Sequence, residues 1–188
     1  MNPLYKIGSV AALMLFYLVC LLSIFMLASN IGYIWYPNSA FTASLGAFDP
    51  LYTYFELHFD TTPVVYTEPS FRWLSFASEA TMTVFALLFL WFLHQLLKNI
   101  HHAGLFTESN VTVLFRFGLT VSILGTAFGY MDSRLSSAAI TALDVRNGSI
   151  EFTSLYHLDM LFGGIVLLII ASALKTAVRA VEENKKTI

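Results

Sequence analysis

Apolar residues in this chain gather into four long runs, Ile7–Ser29, Ala77–Leu97, Val111–Met131 and Leu155–Leu174. At about 1.5 Å per residue, a helix of some 20 residues crosses a hydrocarbon core of about 30 Å. The pattern predicts four transmembrane helices, the last extending to about residue 179. Between them lie an outer loop (30–76), an inner loop (98–110) and a second outer loop (132–154). The short inner loop makes the second and third helices an antiparallel hairpin. Four spans so connected predict an all-α four-helix bundle forming one integral membrane domain over 1–188. No internal repeat supports an inverted-repeat transporter layout.

The outer loops carry a different periodicity. Leu51, Thr53, Phe55, Leu57 and Phe59 alternate with Tyr52, Tyr54, Glu56 and His58. That is the period of a strand, in residues of high β-propensity. Pro63–Tyr66 is a second short strand candidate. In the other loop, 139–145 and 149–153 flank Arg146-Asn147-Gly148, a hairpin signal. Two such loops predict a small extracytoplasmic β-hairpin cap, since a single hairpin is marginal alone. Asn147-Gly148-Ser149 is also a glycosylation sequon, although the turn explains these residues better.

Composition agrees with a membrane solvent. The 188 residues are 57% hydrophobic and 12% charged, about half the roughly 25% charge of a soluble domain. Mean hydropathy is +0.70. The net charge of −2 argues against direct nucleic-acid binding, which needs a basic surface. Cys20, the single cysteine, excludes an intrachain disulfide and paired-thiolate metal sites. Lys6 followed by an apolar run resembles a signal peptide. The run is longer than a usual h-region and lacks a clear cleavage site, so an uncleaved helix is expected.

Positive charge sets the expected orientation. With both termini inside, Lys6, Lys98, Arg116, Lys175, Arg179, Lys185 and Lys186 are cytoplasmic, and Arg72, Arg134 and Arg146 are outside. This distribution favours N-in and C-in.

Two polar clusters stand near the span ends. His94 and Gln95 of the second helix lie at a depth similar to Arg116 of the third. They could form an intramembrane cluster, or Arg116 could snorkel to headgroups. At the outer boundary, Glu79, Asp132, His157 and Asp159 could bind a cation or sense pH, or serve as solvated helix ends. His94 and His157 sit near opposite faces, roughly 25 Å apart by helical rise, so they cannot share a haem. No HExxH, GxSxG, P-loop or GxGxxG motif occurs. No cofactor or metal site is expected, and no enzyme.

The last helix continues past the apolar run, with Leu174, Ala177, Val178 and Val181 on one face. Its lysines could anchor the helix at the membrane or dock a partner. In the inner loop, Thr107 followed by Asn110 reads as a helix N-cap zone.

Two segments, 97–111 and 173–188, resemble bacterial proteins of the domain-of-unknown-function 2975 family. Residues 97–111 are similar to that family's lysine–glycine–phenylalanine–threonine linker, followed by an early arginine, here Arg116. Residues 173–188 are similar to its ending, a helix running into Glu-Glu-Asn and then threonine with an aliphatic residue. Lys185-Lys186 departs from the acidic-then-leucine pair of the pattern. The resemblance covers roughly residues 80–188. It implies a four-helix bacterial inner-membrane protein, often encoded beside a small helix-turn-helix regulator, with no enzymatic role attached.

The resulting expectation is a non-enzymatic regulatory or signal-sensing protein with a cytoplasmic partner, which the resemblance suggests is such a transcription regulator. Lys98, Phe106, Thr107, Arg116, Arg179, Glu182 and Glu183 are the expected partner-binding residues. The alternatives are a small transporter or transporter subunit, or a bundle that binds lipid or a small ligand.

Overall fold

The computed structural model describes residues 3–53, 55–143 and 158–186, without the side chains of 185 and 186. Its helices are α1 (Pro3–Trp35), α2 (Ala40–Leu45), α3 (Pro69–Ala103), α4 (Glu108–Thr120), α5 (Thr126–Ile140) and α6 (Leu158–Lys186). A 3-10 turn spans Val64–Thr67, and a π-helical turn, Val121–Gly125, joins α4 to α5. The stretch from Glu108 to Ile140 is thus one continuous helix. With α1, α3 and α6 it makes four helices long and apolar enough to cross a membrane.

The helices exceed the apolar runs because their limits are set by backbone chemistry. Helix α1 continues to Trp35, since Pro37 disfavours helical conformation at the residue before it. Pro69 occupies the first turn of α3, where its missing N–H costs nothing. Helix α3 ends at Gly104, whose φ of 83° lies in the left-handed region that glycine alone enters freely. Thr107 then caps α4, its side chain accepting from the backbone N–H of Asn110. The fully buried Asn110 closes the linker by donating from Nδ2 to the carbonyls of Gly104 (2.8 Å) and Leu105 (2.9 Å).

The helices pack in the order α1 on α3, α3 on α4 and α5, and α4 on α6. Toward the end that carries the α3–α4 linker, Val111, Leu114, Phe117, Ala171, Leu174 and Val178 form a core against aromatic side chains of α3. The inward face expected of the last helix is present: Leu174 and Val178 are buried, Ala177 and Val181 partly so. Helices α4 and α6 meet backbone to backbone. A Cβ on Gly164 would collide with Ser122 Oγ and lie 2.5 Å from the Ser122 nitrogen and 2.8 Å from the Gly118 carbonyl. Small residues permit such close approach between membrane helices.

Helix α1 is held differently. Its buried residues are Ser9, Ala12, Ser23, Asn30 and Gly32, all small or polar. Ser9, Phe16, Ser23 and Asn30 recur every seventh residue and all meet α3. Ser9 pairs with His94, Phe16 lies 5.7 Å from the Trp91 ring, Ser23 receives a hydrogen bond from Thr83 (3.3 Å), and Asn30 bonds Glu79. A seven-residue repeat keeps one seam of a helix on its neighbour. Here the seam is mostly polar, as suits an interface that apolar surface cannot drive in a lipid solvent.

In its described part, the expected β-cap takes another form. Among the described residues no strand occurs. Val64–Tyr66 lie in a 3-10 turn capped by Pro63 instead of a strand, and Ala139 and Ile140 belong to α5. Helix α5 also takes in Asp132–Ile140, which the apolar pattern assigned to a loop. The Asn147-Gly148 hairpin lies outside the described residues. The cap is a folded aromatic loop. Phe48, Tyr66 and Phe71 are buried with Leu135 and Ala139, and Tyr33, Tyr52, Leu57 and Phe59 pack around them. Alternation survives in part, with Phe55, Leu57 and Phe59 turned inward and Glu56, His58 and Asp60 exposed. Edge-to-face and stacked rings fill the space that strand pairing would have filled, Tyr66 stacking on Phe71 at 5.2 Å.

Candidate functional site: the polar floor beneath the aromatic cap

Arg72, on the first turns of α3, ties the cap to the bundle. Its Nε donates to the Tyr66 carbonyl (3.0 Å) and a terminal nitrogen to the Tyr33 carbonyl (3.1 Å). Its guanidinium lies 5.7 Å from the Phe48 ring centroid, within cation–π range. Tyr33 reaches over α2 to the carbonyls of Gly46 and Ala47, both at 3.3 Å. Tyr52 and Tyr66 join hydroxyls at 2.7 Å. Burial pushes both phenols above their ordinary value, and for Tyr52 the shared hydrogen bond adds to the shift.

Beneath this cap, Asn30 of α1 and Glu79 of α3 form a buried pair, 5% and 8% exposed. Asn30 Nδ2 donates to Glu79 Oε2 (2.6 Å) and to the Met26 carbonyl (3.2 Å). Both donors of the amide are thereby used, and its Oδ1 is buried with no partner. Glu79 Oε1 has no hydrogen-bond partner among the described residues, and it is not sealed as Asn30 Oδ1 is. Among those residues no basic side chain comes within 4.0 Å of the carboxylate. A cavity of about 280 Å³ opens onto this pair, with Phe25, Met26, Tyr33 and Phe48 among its walls and Asp49 at its rim.

The expected outer cluster is therefore divided. Glu79 faces α1. Asp132, 4% exposed, accepts hydrogen bonds from the side chain and backbone of Thr53 and anchors the loop to α5. Asp159 is exposed in the first turn of α6, and His157 lies outside the described residues. Among the described residues no three His, Cys, Asp or Glu side chains assemble into a metal site.

The inner cluster is divided as well. His94 Nδ1 lies 2.8 Å from the Ser9 carbonyl, which can only accept, so Nδ1 carries the proton. His94 thus belongs to the α1 seam, whereas Arg116 is exposed on α4 and Gln95 is half-buried. An exposed arginine two turns into a membrane helix fits snorkelling. Of the residues expected to meet a partner, Lys98, Phe106, Arg179, Glu182 and Glu183 are exposed. Thr107 is half-buried and its side chain is used as the α4 cap. Between α4 and α6 a groove of about 400 Å³ runs past Glu108, Thr112, Phe115, Ser172 and Lys175.

Asn30 was missed by sequence reasoning. The available signal was an amide within an uncharged apolar span, at seven-residue spacing from Ser23 and Ser9.

The fold and this site describe a multi-pass helical membrane protein with a folded loop beside a largely apolar cavity that has an amide and a carboxylate at its floor. No family model, curated protein or solved structure matches the chain.

Proposed function

We propose that this chain is a non-enzymatic regulatory protein of the bacterial inner membrane, with both termini cytoplasmic. In this reading the aromatic cap faces the envelope and receives a signal, and the α3–α4 linker with the end of α6 contacts a cytoplasmic partner. The excess of lysine and arginine toward one end of the helices supports the orientation. The resemblance to the domain-of-unknown-function 2975 family supports the membrane assignment and suggests a small helix-turn-helix transcription regulator as the partner. The observation that carries the sensing role is the cap itself, which borders an open cavity floored by Asn30 and Glu79. An ionisable side chain within a membrane helix is a functional feature by default, because burying it is costly. The opposite end leaves Phe106, Arg179, Glu182 and Glu183 exposed.

The test is photocrosslinking in cells from Phe106 and Arg179, with mass spectrometry of the captured proteins. Recovery of one small DNA-binding protein, lost on changing Glu182 and Glu183, is the expected result. Capture of lipid or of the chain itself alone would remove the regulatory reading and favour a ligand-binding bundle.

A further inference from the structure

The cavity under the cap has a one-sided chemistry. Its floor offers Glu79 Oε1, which has no hydrogen-bond partner among the described residues, and its rim carries Asp49. Asn30, which lines the same cavity, has spent both N–H donors on Glu79 and Met26, and its remaining oxygen has no donor. The polar groups at the floor therefore lack a donor and a positive charge. Arg72, the cation on the outer turns of α3, is already turned to the Tyr66 and Tyr33 carbonyls. The walls are mixed apolar and aromatic, with Phe25, Met26, Leu45 and Phe48. Aromatic faces attract organic cations. A buried carboxylate with one bound donor and no counter-charge is costly unless a cation or proton joins it.

We infer that this cavity binds an alkylammonium group, whose N–H donors meet Glu79 and whose carbon chain lies against Phe25, Met26 and Phe48. The volume of about 280 Å³ suits a short amine or the headgroup end of an aminophospholipid. Both sources present the same ammonium chemistry. The inference deepens the sensing role proposed above, and rests on it for biological meaning, by naming the class of signal.

The test uses the full chain in dodecyl maltoside, titrated by calorimetry with n-butylammonium, n-butanol and butyrate. One saturable site for butylammonium is expected, with butanol at least tenfold weaker and butyrate silent. Glu79→Gln keeps an acceptor for Asn30 and removes the charge, and should weaken the ammonium at least tenfold. Ala47→Trp, on the exposed rim, blocks entry without altering Glu79, and should do the same even if the first variant folds poorly. Competition by added phosphatidylethanolamine, with co-purified lipid in native mass spectrometry, assigns the site to a lipid; its absence assigns it to a free amine. No saturable binding, equal binding of butanol, or affinity untouched by both variants would overturn the inference. Selective ammonium binding without partner capture at Phe106 and Arg179 would keep the site and remove the regulatory reading. Partner capture without ammonium binding would do the reverse.

Discussion

Asn30 Nδ2 donates to Glu79 Oε2 at 2.6 Å across the interface of α1 and α3. It is the rung nearest the aromatic loop in a ladder that continues through Ser23–Thr83 to Ser9–His94 at the other end. The rungs fix the register of α1, a helix whose exposed face is mostly apolar. Sliding α1 by one residue would break all three.

The first prediction concerns this rung. Asn30→Ala leaves a buried carboxylate without its donor, at a cost of about 1–3 kcal/mol. Glu79→Gln keeps the bond, with Asn30 donating to the amide oxygen, and should cost less. Adding Asn30→Ala to Glu79→Gln should then cost less than Asn30→Ala alone. Unfolding in mixed micelles measures all three variants. Fully additive costs would show that the two residues act independently.

A second prediction follows from the helix crossing at Gly164. Gly164→Ala puts a methyl group into Ser122 and the Gly118 carbonyl, so the backbones of α4 and α6 must part. Overpacking of this kind costs about 1–3 kcal/mol. At Gly163 a Cβ would meet only Val121, at 4.0 Å, so Gly163→Ala should be tolerated. Thermal unfolding of the two variants in detergent checks the contrast. Equal effects would mean that the crossing is not close-packed in solution.

The cap rests on Arg72. Arg72→Lys keeps the charge but loses the planar fork that serves two carbonyls at once, and Arg72→Ala loses the charge as well. Both should free the loop around residues 47–63, which limited proteolysis from the outer side would detect. Alanine should be the more sensitive, because it also removes the positive charge near the Phe48 ring, which an ammonium can still supply. Wild-type resistance in the alanine variant would show that aromatic packing alone holds the cap.

How much of this was legible in the sequence depends on where the physics is local. The four spans were, because length and apolarity act residue by residue. Thr107 and Asn110 also advertise a helix cap through their own side chains. The first outer loop was misread for an instructive reason. Period-two alternation states which side chains face inward, and Phe55, Leu57 and Phe59 do so. A strand also needs a partner edge, and alternation carries no information about that. Thr53 bonds to Asp132 on α5, and aromatic rings replace a neighbouring strand. The polar clusters failed similarly, since depth along a helix places residues at one level without saying which way they turn. His94 and Arg116 share a depth, but His94 bonds α1 and Arg116 is exposed. The seam Ser9–Phe16–Ser23–Asn30 was readable as a seven-residue repeat, and is the site feature that pattern analysis could have supplied.

The last prediction is a pH dependence of the cap. The phenols of Tyr52 and Tyr66 are 2.7 Å apart, and burial raises both above the ordinary tyrosine value of about 10. In the unfolded loop they would ionise near that value. Stability from this pair is therefore complete below about pH 10 and falls as pH rises from there toward the folded-state values. The folded cap should hold both phenols neutral where exposed tyrosines titrate. Absorbance near 295 nm, compared between the native chain and Tyr52→Phe, reads this directly. The difference between them should show no ionisation step near pH 10, only one that coincides with loss of protease resistance in the loop. Tyr52→Phe keeps the ring stacked on Phe55 (5.0 Å) and loses one hydrogen bond, about 1 kcal/mol, so the cap should stay closed at neutral pH. A tyrosinate step near pH 10 that disappears in Tyr52→Phe would mean that the Tyr52 hydroxyl is open to water and that the cap is not packed as described.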